Sequence, residues 1–153
     1  MAYWLLKSEP DVFGWEHLLA RPKQSEPWDG VRNYQARNFL RDAMRDGDEA
    51  FFYHSNCAQP GIVGLCRIVG EAQVDPTAFD PDSKYHDPKS DPENPRWYLR
   101  TVQAQRTLAR TITLAELKER AEALEGLQLI RRGNRLSVMP IEADHWAYIL
   151  GLE

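Results

Sequence analysis

Five prolines, Pro76, Pro81, Pro88, Pro92 and Pro95, fall within the 23 residues DPTAFDPDSKYHDPKSDPENPRW, Asp75 to Trp97. Proline lacks the backbone N–H that helices and interior strands need, so this stretch excludes regular structure and divides the chain in two. It is also longer than ordinary connections, and such loops are commonly functional or disordered. Phe79, Tyr85, Trp97 and Tyr98 lie in or beside it. A stretch this aromatic argues against simple disorder. The expectation is an ordered loop laid over the rest of the fold.

On the N-terminal side, AYWLLK (2–7) is short, apolar and aromatic and reads as a buried strand, closed by Glu9-Pro10. FGWEHLLA (13–20) reads as a short helix stopped before Pro22. Asp29-Gly30 is a turn signal and Asn33 a helix N-cap. From there Ala36, Phe39, Leu40, Ala43 and Met44 recur at the spacing of one buried helical stripe. EAFFYHS (49–55) follows the Asp46-Gly47 turn as a strand, and GIVGLCRIVGEAQV (61–74) as one long strand or two joined by a bulge. Gly64 and Gly70 would allow the bend that barrel closure needs.

Past the loop, RWYLRTVQAQ reads as a strand and TLAELKERAEAL as a helix with a Thr113/Glu116 capping box. NRLSVMP reads as the last strand and EADHWAYIL as a closing helix. Five or six strands and about four helices interleave irregularly, with no βαβ alternation, dinucleotide fingerprint or repeat. The expected fold is a mixed α/β one: a small β-barrel with peripheral helices.

The length of 153 residues suits one domain with a real core. No run reaches the roughly 18 apolar residues of a membrane span and no secretory signal is recognisable, so the expected location is cytoplasmic. The two cysteines, Cys57 and Cys66, lie among apolar residues and read as buried free thiols. The net charge of -4 excludes a general polyanion sponge. The charge is uneven, however. Residues 71–95 hold two basic and seven acidic groups, whereas 96–135 hold nine basic and four acidic.

Catalytic patterns are weak. His54 and Cys57 stand three apart, with His86 and Asp87 in the long loop, but there is no Cys-x-x-Cys and no His-Glu-x-x-His for a metal. Ser55 and Cys57 lie near His54 without a nucleophile motif, and no phosphate-binding glycine loop is present. No cofactor is implied. Binding is the better reading. A nucleobase pocket needs stacking surfaces and edge donors and acceptors. Lys7, Ser8, Trp28, Asn33, Ser55, Asn56, Phe79 and Tyr85 offer both. Asn33 as a cap, Ser55 and Asn56 as a turn, and Phe79 and Tyr85 as loop packing are the structural alternatives.

Six motifs occur in order: YWLLKSEP (3–10), WDGVRNYQARNFLR (28–41), FFYHSNCAQPGIVG (51–64), DPTAFDPDSKYHDPKS (75–90), PRW (95–97) and RLSVMPI (135–141). Together they resemble the EVE-domain family, the group related to thymocyte nuclear protein, over residues 2–150 or so. The resemblance implies a single domain, residues 1–153, with a PUA-like fold, a small β-barrel of five to six strands with helices around it. It also implies recognition, without catalysis, of a modified base, chiefly modified cytosine in DNA, flipped into a pocket. RNA as partner, and an enzyme or small-molecule binder acting on modified nucleosides, are the alternatives; an enzyme would use a titrating group such as His54 or Asp80.

Carried over, the pocket draws on Lys7, Ser8, Trp28, Asn33, Ser55, Asn56, Phe79, Asp80 and Tyr85. The helix start, Gly30 to Tyr34, is expected at the barrel mouth, which adds Tyr34. Arg32, Arg37, Arg41, Arg131, Arg132 and Arg135 are the expected phosphate contacts. After Trp97 the chain departs from the family's acidic, valine-containing strand and places Arg100 there, an expected change at the rim.

Overall fold

The computed structural model describes residues 1–153. Six strands, β1 (Tyr3–Ser8), β2 (Ser25–Trp28), β3 (Glu49–His54), β4 (Gly61–Val74), β5 (Tyr98–Thr113) and β6 (Val138–Ile141), form one sheet in the order β2-β5-β4-β3-β1-β6. All neighbours are antiparallel except β1 and β3, which run parallel. A parallel pair needs a crossover. Here it carries two short helices, α1 (Pro10–Phe13) and α2 (Trp15–Ala20), then β2 and α3 (Tyr34–Asn38).

The expected barrel is corrected by this order. β2 and β6 are the two ends of the ladder and are not hydrogen-bonded to each other, so the sheet is open. The fold is a mixed α/β one with peripheral helices. Strand number does not close a barrel; the end strands must meet. The bends that suggested closure are real. The β3–β4 and β4–β5 registers shift at several points, one of them between Ile62 and Gly64. Gly64 has a packing reason, since a Cβ there would lie 2.5 Å from the Trp15 indole.

The sheet is buried on both sides, because successive side chains of a strand point to opposite faces. Trp4, Leu6, Phe52, Cys66, Ile68 and Val102 join Trp15, Leu18, Trp28, Ala36 and Leu40 on one side. Leu5, Phe51, Tyr53, Leu65 and Ile112 meet α4 (Leu114–Glu119) and α5 (Ala143–Leu150) on the other. There Trp146 stacks on Phe51 and Tyr3 at 4.0 and 4.6 Å between ring centres. Cys66 is buried and free, and Cys57 is free and half-buried.

Several local expectations hold with changed limits. Asn33 caps α3, its Oδ1 accepting from Ala36 N at 2.9 Å. The helix then widens to a π-turn over Phe39–Ala43. The helix expected at 13–20 is two, broken at Gly14. Thr113 caps α4, but Glu116 does not close the capping box: its carboxylate pairs with Arg110, both bonds at 2.7 Å. Arg100 is buried rather than at a rim. It donates to Leu40 O (2.7 Å), Met44 O (2.6 Å) and Gly70 O (2.9 Å), so it holds the carbonyl end of the α3 π-turn against the sheet. Burial lowers its pKa, and those carbonyls together with Asp48, Glu71 and Asp46 nearby offset the buried charge.

Candidate functional site

β1 and β2 stand four places apart in the ladder, yet their C-terminal ends line one cavity. The open sheet therefore curls back on itself, and the cavity sits in the seam it leaves. Its volume is about 410 Å³, within the range of small-ligand sites. Lys7, Ser8 and Glu9 come from the end of β1, and Val12 and Phe13 from α1. Glu26 to Trp28 come from β2, and Asp29 to Arg32 from the turn after it. Lys84 and Tyr85 of the proline-rich loop and Ser137 complete the lining.

The turn after β2 is built around Asp75, which is fully buried. One carboxylate oxygen accepts from Gly30 N at 2.8 Å and Arg32 Nη1 at 3.0 Å; the other accepts from Thr77 N at 2.9 Å and Thr77 Oγ1 at 2.6 Å. Burial pushes this carboxyl up, but the bonds from Thr77, Gly30 and Arg32 outweigh it and hold its pKa below the usual carboxylate range. Arg32 also donates to Val31 O (3.0 Å), to Thr77 Oγ1 (3.1 Å) and twice to Tyr85 O (3.0 and 2.7 Å). This clamp pins the loop to the turn. Tyr85 lies so close over Gly30 (φ +77°) that a Cβ there would be 2.6 Å from its ring. Further along the loop, Trp97 Nε1 donates to Asp87 at 2.7 Å. The proline-rich segment is thus tied down, as its aromatics suggested.

Of the expected pocket residues, Lys7, Ser8, Trp28 and Tyr85 meet in the cavity. Trp28 is only 8% exposed and packs edge-on to Phe13 and Phe52, so most of its indole is core rather than stacking surface. Ser55, Asn56, Phe79 and Asp80 do not line it. Asn56 stands behind the rim and donates to Glu9 Oε1 at 3.0 Å; Asp80 accepts from Asp82 N in an exposed turn. Tyr34 is exposed and lies outside the cavity, stacked on Trp97 at 4.9 Å with the Arg37 guanidinium 4.9 Å from its ring centre.

The expected phosphate contacts divide. Arg32 is corrected: its five N–H donors are all used inside the protein. Arg37 bonds to Asn38 and Arg96 O, and Arg41 to Asp42. Arg131, Arg132 and Arg135, by contrast, surround a second recess of about 340 Å³ with Asn33, Gln35, Gln128 and Asn134, and no carboxylate lines it. The three guanidiniums form no ion pair. Cavity and recess adjoin along two chain segments: Arg32 lines one and Asn33 the other, and Ser137 lines one and Leu136 the other.

Sequence reasoning missed the apolar walls Val12, Phe13, Pro27 and Val31 and the carboxylates Glu9, Glu26 and Asp29. The Asp29-Gly30 pair signals a turn and gives no sign that the Asp29 carboxylate lines a cavity. Burial, Asp75 and Glu26 together raise its pKa, and burial lowers that of Lys7. His54, the candidate titrating group, accepts from Trp15 N at 3.0 Å through Nε2, and burial lowers its pKa. No three His, Cys, Asp or Glu side chains are gathered as metal ligands.

The EVE-domain model matches residues 2–152. The chain belongs to the EVE-domain family. It is 46% identical to human thymocyte nuclear protein 1, spanning 99% of this chain and 74% of that protein, and 47% identical to the zebrafish (Danio rerio) protein of the same name, spanning 98% and 71%. Among solved structures, human THYN1 in complex with 5-methylcytosine-containing DNA matches this EVE-domain chain with a TM-score of 0.95 and 46% identity, covering 99% of this chain and 97% of that one. A Pseudomonas syringae protein matches with a TM-score of 0.93 and 50% identity, covering 99% of both chains. The cytoplasmic location expected from the sequence is corrected by the vertebrate relatives, each of which is named thymocyte nuclear protein 1. The lack of a membrane span, on which that expectation rested, does not distinguish the two compartments.

Proposed function

We propose that this chain, acting over residues 1–153 as one EVE domain, is a non-catalytic reader of modified cytosine in DNA. The base would enter the seam cavity and the flanking backbone would lie along the arginine recess. The observation that carries the reading is the match to the human THYN1 complex with 5-methylcytosine-containing DNA, close in both sequence and fold.

The geometry supports it in two ways. The cavity combines an aromatic surface, Tyr85, with apolar walls and uncommitted polar groups. Stacking contributes about 1–3 kcal/mol per base, and extruding a paired base costs a few kcal/mol. The two nearly cancel, so hydrogen bonds to the base edge must supply net affinity and selectivity. The recess next door concentrates cationic donors on a chain whose net charge is -4. Backbone attraction is therefore local, and such contacts set register rather than sequence.

The test is fluorescence-polarisation binding to matched duplexes carrying cytosine, 5-methylcytosine or 5-hydroxymethylcytosine. The wild type binds a modified duplex more tightly than the unmodified one, and Tyr85→Ala weakens that binding by about 5- to 150-fold. Replacing Arg131, Arg132 and Arg135 together with Gln lowers the log-log salt slope by up to about 2.7 while the preference for modified cytosine survives. Equal wild-type binding to all three duplexes refutes the reading.

A further inference from the structure

We propose that Asp29 is the specificity-determining residue that separates cytosine from thymine in the seam cavity, its carboxylate accepting the exocyclic amino hydrogen of the base while the Lys7 ammonium donates to the base's carbonyl oxygen. The inference rests on the base-reading function above and goes beyond it by naming the group that decides which methylated pyrimidine is kept.

The argument begins with which polar groups of the cavity are already used. Ser8 Oγ donates to Phe13 O at 2.6 Å. Glu9 accepts from Asn56 at 3.0 Å, and Glu26 pairs with Arg21 at 3.1 Å. Every donor of Arg32 is committed to its clamp. Asp29 and Lys7 remain, along with Lys84, Ser137 and the Tyr85 hydroxyl, and Asp29 is the one cavity carboxylate with no side-chain partner. Neither Asp29 nor Lys7 has an ion-pair partner. They enter it from different strands, Lys7 near the end of β1 and Asp29 just past the end of β2. The backbone that carries Asp29 is held on both sides: Asp29 N donates to Pro27 O at 3.1 Å, and Gly30 N donates to Asp75 at 2.8 Å. Its enclosure beside Asp75 and Glu26 makes the carboxylate a stronger proton acceptor than a free one.

The chemistry of the base then fixes the role. 5-Methylcytosine and thymine carry the same methyl group, so apolar walls cannot tell them apart. They differ at position 4, where cytosine has an amino donor and thymine a carbonyl acceptor, and at N3, an acceptor in cytosine and a donor in thymine. A carboxylate facing position 4 bonds to the amine. Against thymine it meets a second acceptor, and two enclosed acceptors are left unsatisfied. The oxygen at position 2 is an acceptor in both pyrimidines. A lysine there therefore adds affinity without choosing between them.

The experiment compares two duplexes identical but for one position, 5-methylcytosine or thymine, each placed opposite an abasic site so that neither base loses a pairing partner on extrusion. Wild-type protein prefers 5-methylcytosine by about 5- to 150-fold. Asp29→Asn brings the ratio to near one, because an amide satisfies either edge. Asp80→Asn, which alters an exposed carboxylate outside the cavity, leaves the ratio unchanged, and Lys7→Met weakens both probes alike. The proposal is overturned if Asp29→Asn, melting as the wild type does, keeps the wild-type ratio, or if the wild type does not distinguish the two probes. Wild-type protein that binds neither probe better than a fully paired unmodified duplex overturns the base-reading function itself, a result separable from the other two.

Discussion

Asp75→Asn tests how the site is held. The side chain keeps its shape, but one of its two oxygens becomes an NH2 group, which cannot accept. Two of the four donors now bonded to Asp75, among Gly30 N, Arg32 Nη1, Thr77 N and Thr77 Oγ1, lose their acceptor. The guanidinium of Arg32 also loses its counter-charge. Breaking a buried pair by removing one partner costs about 3–5 kcal/mol. Arg32 is 23% exposed and keeps its bonds to Tyr85 O and Val31 O, which places the cost near the lower end, about 3 kcal/mol. For a chain of this size that is a fall in melting temperature of about 6–12 °C.

The pH dependence is a second, independent readout. The folded-state pKa of Asp75 lies below the unfolded value, 3.8, so its contribution is fully present above that value and is lost as pH falls through the folded pKa. The stability gap between wild type and variant, measured by urea denaturation from pH 7 to pH 3, should be constant down to about pH 4 and then narrow. Base affinity should also be lower in the variant, since the turn at Gly30 and the Arg32 side chain that holds Tyr85 both lose the carboxylate that fixes them. A loss below about 1 kcal/mol, or a gap indifferent to pH, would show that the clamp is not what orders the turn.

Two further substitutions separate scaffold from surface. Arg100→Met leaves the carbonyls of Leu40, Met44 and Gly70 without their charged donor, and urea denaturation should show a loss of about 3 kcal/mol while the DNA affinity of the folded protein stays within about twofold. Asn33→Ala removes the α3 cap, so stability should fall by about 1 kcal/mol, read as a melting shift of about 2–4 °C. As Asn33 lines the arginine recess and not the base cavity, the preference for modified over unmodified cytosine should persist in that variant.

The stretch that begins at Trp28 shows what was legible in the chain. The turn at Asp29-Gly30, the cap at Asn33 and the apolar stripe of Ala36 and Leu40 are local signals. Each depends on neighbours a few residues away, and the turn and the cap stand as the residues suggest; the stripe is buried at Ala36, Leu40 and Met44 and half-buried at Phe39, whereas Ala43, expected on it, is exposed at the end of the π-turn. The ordered motifs also identified the family, because several were present at consistent intervals. The same stretch holds what could not be read. Trp28 looked like a stacking wall and is mostly core, while Asp29 looked like a turn residue and lines the cavity.

Sequence by itself determined five of the six strands, the caps at Asn33 and Thr113, the proline-rich loop and the family; β2, which carries Pro27 and gives no local strand signal, is a strand only through its pairing with β5. Tertiary structure decided whether the sheet closes and which polar groups are free. Closure depends on whether β2 and β6 meet, a matter of accumulated twist and register rather than of strand count. Availability depends on partners far along the chain. Arg32 and Arg131 are the same residue type beside equally polar neighbours. Arg32 is spent because Asp75 and Tyr85, 43 and 53 residues away, fold back onto it; no carboxylate does so for Arg131. A hydrogen bond is decided by distance in space, and only the folded chain sets that distance.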